Sequence, residues 1–86
     1  MKLPNVTVIG LGCIGGSFAR ALNGNGAFVR GMTTSADDRD AARAVDIDVA
    51  EESVESAVSD ARLVIIAVPA QAIAEVAWAA IRGAPA

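Results

Sequence analysis

The 86-residue chain has no histidine, no tyrosine and a single cysteine. Histidine is the side chain best suited to general-base work and metal binding at neutral pH. Without it, no residue is assigned here as a catalytic base or as a metal ligand. One cysteine cannot close an internal disulfide, which fits a reducing compartment. Two Phe and one Trp are the only aromatics, so a core must be built from Ala, Val, Ile and Leu. A large excess of one charge sign is also missing. The net charge is −3, with acidic and basic residues interspersed, which argues against a nucleic-acid partner. A phosphate-bearing ligand would have to be held by local dipoles and a few Arg residues, because the overall field is slightly repulsive. The longest apolar run, Leu63 to Ala70, falls far short of the ~20 residues that cross a bilayer. The first residues are expected to run straight into a strand with no apolar signal segment. The expectation is a cytoplasmic protein without a membrane partner. With 53% hydrophobic and 20% charged residues, the chain is too apolar to be disordered and large enough for one domain with a modest core.

What the sequence does contain is a glycine-rich turn between a strand and a helix. Residues 6–22 read as a β-branched run, then Gly10-Leu11-Gly12-Cys13-Ile14-Gly15, then an amphipathic helix. The glycines have the G-x-G-x-x-G spacing of a dinucleotide-binding loop in the context that motif requires. Gly10 permits the tight turn, Gly12 lets the backbone approach a pyrophosphate, and Gly15 brings the helix close to the sheet. Free N–H groups at the helix start face the anion. Cys13 reads as a small residue filling the loop, although a helix start would lower its pKa.

Along the chain, Asn5 to Ile9 reads as a strand covered on both faces. Ile14, Phe18, Ala21 and Leu22 form a helical stripe expected to face the sheet, with Arg20 off it. Asn23-Gly24-Asn25-Gly26 stops this helix, both glycines being free to take positive φ. Ala27 to Met32 is a second strand. Ser35 with Asp38 resembles a capping box for a helix that carries Ala41, Ala42 and Val45 inward and ends near Asp46. Ile47 to Val49 is a short third strand. Ser53 caps a short helix with Val54, Ala57 and Val58 on one face. Leu63 to Val68 is a fourth strand, apolar on both faces and ended by Pro69. The last helix, about 70–82, is expected to put Ile73, Ala77 and Ile81 on one stripe, with Trp78 at its flank. The alternation predicts an α/β fold, a partial doubly wound parallel sheet of the Rossmann-like kind. Its strand order should be 3-2-1-4, with helices on both faces. Residues 1–86 are expected to form an incomplete NAD(P)-binding domain.

In such folds a carboxylate ending the second strand accepts hydrogen bonds from the ribose of NAD. Here that region holds Thr33, Thr34 and Ser35 instead. Hydroxyls can donate to a 2′-phosphate, and Arg39 or Arg30 could add a charged fork. NADP(H) is therefore expected over NAD(H), although Asp37 and Asp38 place negative charge nearby. Ala67, Val68 and Pro69, after the fourth strand, should form the other wall, with Gln71 close enough to offer an amide. The expected cofactor-contact set is thus Gly10, Leu11, Gly12, Cys13, Ile14, Gly15, Thr33, Thr34, Ser35, Arg39, Ala67, Val68 and Pro69.

Gly10-Leu11-Gly12-Cys13-Ile14-Gly15-Gly16-Ser17 resembles the G-L-G-x-I-G-G-S loop of prephenate/arogenate dehydrogenases. Ser59-Asp60-Ala61-Arg62-Leu63-Val64-Ile65-Ile66-Ala67-Val68-Pro69 is similar to a second segment of that family. The resemblance implies hydride transfer to a nicotinamide dinucleotide with oxidative decarboxylation of prephenate or arogenate, in tyrosine biosynthesis. It covers only the amino-terminal part of the family's cofactor domain, and the family commonly has Asp where this chain has Thr33. The family's catalytic His and substrate-binding Arg lie in regions this sequence does not contain, so the fragment is not expected to be catalytic alone. Two other readings share the loop: the cofactor domain of another β-hydroxyacid or imine dehydrogenase, and a non-catalytic nucleotide-binding or assembly module. The strand Leu63 to Val68 should have one open edge, so a homo-oligomer or completion by a partner chain is expected.

Overall fold

A computed structural model describes residues 5–50 and 53–84, with the side chains of Cys13 and Ile14 outside that description. The elements run β1 (Asn5–Ile9), α1 (Cys13–Gly24), β2 (Phe28–Met32), α2 (Ala36–Ala44), β3 (Asp48–Val49), α3 (Val54–Ala57) and β4 (Leu63–Ile66). A 3₁₀ turn (Ala70–Ala72) and α4 (Ile73–Gly83) follow. The four strands form one sheet in the order β3-β2-β1-β4, every pair parallel. This is the expected Rossmann-like α/β topology.

Central position explains the composition of β1. Val6, Thr7, Val8 and Ile9 are all buried, because helices cover both faces of a strand flanked on both sides. Val6 and Val8 join Ala19 of α1 and Ala42 of α2 in one apolar cluster. Ile9 joins Val58 and Ala80 on the opposite face, with Val64, Ile66 and Val76 packed against them. Thr7 is the buried polar exception. Its Oγ1 donates to the Ala57 carbonyl at 2.8 Å, tying α3 to the sheet.

The helix ends follow local chemistry. After α1, Gly26 takes φ 92°, while Ala27 N–H reaches Leu22 C=O and Gly26 N–H reaches Asn23 C=O. That 6→1 and 5→2 pair is a Schellman stop. Of the two glycines expected to take positive φ, only Gly26 does. α2 ends by the same bonds, Ile47 to Ala42 and Asp46 to Arg43, with Asp46 at φ 62° in the position that usually holds glycine.

Four expectations about helix faces and strand length are corrected. On α1 the buried positions are Gly15 and Ala19 with Leu22 partly buried, whereas Phe18 is 53% exposed and Ala21 lies outside. Ile14, the first member of the expected stripe, has a side chain outside the described residues. On α4 Ala80 is buried, Val76 and the expected Ala77 are partly buried and Gly83 packs against α3, whereas Ile73 and Ile81 are exposed, as is Trp78 at the flank. On α2 only Ala42 is buried, and Ala41 and Val45 are exposed. The reason is close approach. A Cβ on Gly15 would overlap Gly10 O, and one on Gly83 would overlap the Glu55 backbone. The contacting faces therefore take the smallest side chains and turn the bulky ones outward. β4 ends at Ile66, two residues early, although Ala67 N–H still donates to Ile9 C=O at 2.8 Å. Among the described residues, β4 pairs only with β1.

Candidate functional site

The chain leaves β1 through Gly10, whose φ of 95° suits glycine. A Cβ there would also overlap the Ala67 carbonyl. The turn brings α1 in with Gly12 as its N-cap and no side chain capping it. The first bond of the helix runs from Gly16 N–H to Gly12 C=O at 2.7 Å. The amides of Cys13, Ile14 and Gly15 in the first turn therefore have no acceptor within the helix. A Cβ built on Gly12 meets nothing within 4 Å. Above this turn lies open space, bounded by N–H groups and the positive end of a 12-residue helix. One amide of the loop is already used: Gly10 N–H donates to Met32 C=O at 2.7 Å. An anion at this turn must be gripped by the helix start and not by Gly10.

The space above the turn is part of a cleft of about 420 Å³ at the carboxyl ends of β1, β2 and β4. The crossovers diverge between β1 and β4, where ligands bind in open α/β sheets. Gly10, Leu11 and Gly12 form its floor, Thr33, Thr34 and Ser35 one wall, and Ala67, Val68 and Pro69 the other. Leu11 is buried, its δ-carbon against Gly31, where a Cβ would sit 2.6 Å away. Gly15 lies beneath the floor against Gly10 and Ala67. Gln71 is exposed and is not among the lining residues.

The hydroxyl wall is organised by its own backbone. Ser35 caps α2, its Oγ accepting from Asp38 N–H at 3.2 Å. The return bond of a full capping box is replaced: Ser35 N–H donates to Thr33 Oγ1 at 3.1 Å. Each of these hydroxyls accepts one bond and keeps its own O–H to donate.

The two arginines considered for a phosphate fork lie elsewhere. Arg39 is not among the residues lining the cleft. Arg30 sits mid-strand, its Nε 2.8 Å from Asp48 Oδ2 and its NH1 2.9 Å from Asp60 Oδ1, with its guanidinium over the Phe28 ring. The hydrogen bond to Asp48 raises its pKa most; partial burial opposes this, and Asp60 adds to the rise. That pairing ties β3 and the turn between α3 and β4 to β2, and Arg30 is not among the residues lining the cleft. Asp38 does line the cleft, as do Val54 of α3 and Ala72 and Val76 near the start of α4. Sequence spacing carries no local sign of the last three, because the crossovers bring them in from a distance. No helix among the described residues is long and apolar enough to cross a membrane.

Comparison with known proteins agrees with this geometry. The family described as NADP oxidoreductase, coenzyme F420-dependent, matches residues 5–85. No curated protein matches. Among solved structures, an imine reductase from Streptomyces aurantiacus is 33% identical with a TM-score of 0.78, over 93% of this chain and 29% of that one. A diketoreductase acting on dicarbonyl compounds is 26% identical with a TM-score of 0.84, over 100% of this chain and 40% of its own. A candidate prephenate dehydrogenase from Corynebacterium glutamicum is 29% identical with a TM-score of 0.80, over 99% and 27%. The chain thus spans between about a quarter and two fifths of the solved structures it matches.

Proposed function

The chain belongs to the family of coenzyme F420-dependent NADP oxidoreductases and is an NAD(P)-binding Rossmann-like domain, and on that premise we propose that it holds NADP(H) for a hydride-transferring enzyme. The observation that carries this reading is the open space above Gly12, ringed by first-turn amides that the helix does not use. The diphosphate is placed there, against Cys13, Ile14 and Gly15. The adenosine end lies along Thr33, Thr34 and Ser35, whose hydroxyls donate to a 2′-phosphate where a carboxylate would repel it. Ala67, Val68 and Pro69 keep the nicotinamide end dry and close to the backbone. Arg39 is retained as a longer-range positive charge, one turn behind the hydroxyl wall. Bound there, the nicotinamide supplies hydride transfer; the chain binds, orients and excludes water.

Two substrate readings are supported. The G-L-G-C-I-G-G-S loop and the likeness to the candidate prephenate dehydrogenase favour oxidative decarboxylation of prephenate or arogenate. The 33% identity to an imine reductase over 93% of this chain favours imine chemistry. In either case residues 1–86 form part of the cofactor domain, and catalytic groups from a larger unit complete the reaction. That unit we place in the cytoplasm. The edge of β4 that pairs with no strand among the described residues is where a second copy or partner chain would pair. Calorimetric titration with NADP⁺ and NAD⁺ tests the cofactor reading. Saturable binding, tighter for NADP⁺, supports it, and binding of neither leaves only a non-catalytic assembly module. Turnover of prephenate against a cyclic imine by the full-length enzyme separates the substrate readings.

A further inference from the structure

We propose that Asp38 is a specificity-determining residue whose carboxylate works against a 2′-phosphate, so that this chain's preference for NADP(H) over NAD(H) is held small. The inference rests on the dinucleotide reading above and adds to it a residue that opposes the hydroxyl wall.

Two neighbouring carboxylates in the same helical turn have different surroundings. Asp37 is exposed and is not among the residues lining the cleft. Asp38 is partly buried and lines the cleft beside Thr33, Thr34 and Ser35. It also borders a small cavity of about 30 Å³ between α1 and α2, shared with Gly16, Ala19 and Arg20. The Ser35 cap fixes its backbone, because Asp38 N–H donates to Ser35 Oγ. The cap that prepares the hydroxyl wall therefore also sets a negative charge beside it. Arg20 borders the same small cavity and Arg39 follows Asp38 on α2, but among the described residues no Lys or Arg lines the cleft itself.

The two effects act on the same ligand group with opposite sign. The Thr33 and Ser35 hydroxyls reward a 2′-phosphate by donating to it, whereas the Asp38 carboxylate repels its roughly −1.5 to −2 charge. NAD(H), with a neutral 2′-hydroxyl, escapes the repulsion and can donate to the carboxylate. Across a solvated gap of one side-chain length, removing a unit charge should change the affinity of a dianion roughly three- to tenfold.

The test is the dissociation constant of NADPH and of NADH for the wild-type protein, D38N and D37N, each at low and high salt. Asparagine keeps the backbone bond to Ser35 and the size of the side chain, so the cap survives. The expected result is a three- to tenfold rise in the NADPH-to-NADH affinity ratio for D38N, shrinking at high salt. D37N should change the ratio less than twofold, because it makes the same net-charge change outside the cleft. An unchanged ratio in D38N overturns the proposal while leaving the dinucleotide reading intact. An equal response in D37N also overturns it, since the effect would then be one of net charge. Wild-type protein that binds neither dinucleotide overturns both.

Discussion

Gly12→Ala separates binding from folding at a single methyl group. Gly12 has φ −70° and ψ −161°, which alanine can adopt, and its added Cβ meets nothing within 4 Å. The cost to the fold is only the poorer N-cap behaviour of alanine, about 0.5–1 kcal/mol. For a domain of this size that is a fall in Tm of a few degrees. The same methyl stands where the diphosphate approaches the first-turn amides. Losing even one charge-assisted hydrogen bond costs about 1.5–3 kcal/mol, or roughly 10- to 100-fold in affinity. Gly15→Ala behaves differently. Its Cβ would overlap Gly10 O, so α1 must lift from the sheet, at about 3 kcal/mol or more, as for severe overpacking. The assay is thermal unfolding by circular dichroism alongside calorimetric titration with NADP⁺. G12A should fold and bind at least tenfold more weakly, and G15A should lose much of its stability. A G12A protein that binds like wild type would refute the placement of the diphosphate.

Three further substitutions probe the frame. Thr7→Val removes the buried donor to Ala57 C=O at 2.8 Å and should cost about 1–3 kcal/mol in denaturant unfolding, because the carbonyl stays buried without that partner. Asp46→Gly replaces a non-glycine residue at φ 62° in the Schellman stop of α2 and should raise stability by about 0.5–1 kcal/mol. Gly83→Ala would set a Cβ into the Glu55 backbone where α4 crosses α3. A loss of about 1–3 kcal/mol is expected from overpacking, visible as a lower urea midpoint.

Where the sequence was readable, backbone chemistry decided the outcome. The glycine turn, the Ser35 and Ser53 caps, the stop at Gly26 and the parallel order with β1 and β4 adjacent all follow from residues whose conformational demands are local. The helix faces were not readable in the same way. Hydrophobic periodicity favours the bulkiest residues, so Phe18, Ile73 and Ile81 looked inward. Where a helix lies almost in contact with its neighbour, bulk is excluded and Gly15, Ala19, Ala80 and Gly83 take the interior. Arg30 was equally ambiguous. A cation on the second strand can face a phosphate or a pair of carboxylates, and only the fold brings Asp48 and Asp60 to it. The hydroxyl wall was legible as residue types, but its internal bond from Ser35 N–H to Thr33 Oγ1 was not, since a capping box predicts a different partner.

The most direct test is an amide-resolved NMR titration of the ¹⁵N-labelled protein with NADP⁺. Saturable shifts should concentrate on the N–H groups of Cys13, Ile14 and Gly15 and extend to Thr33–Ser35, while Gly10, bonded to Met32, moves least in the loop. Saturable shifts elsewhere with a silent first turn of α1, or no saturable shift at all, would contradict the account.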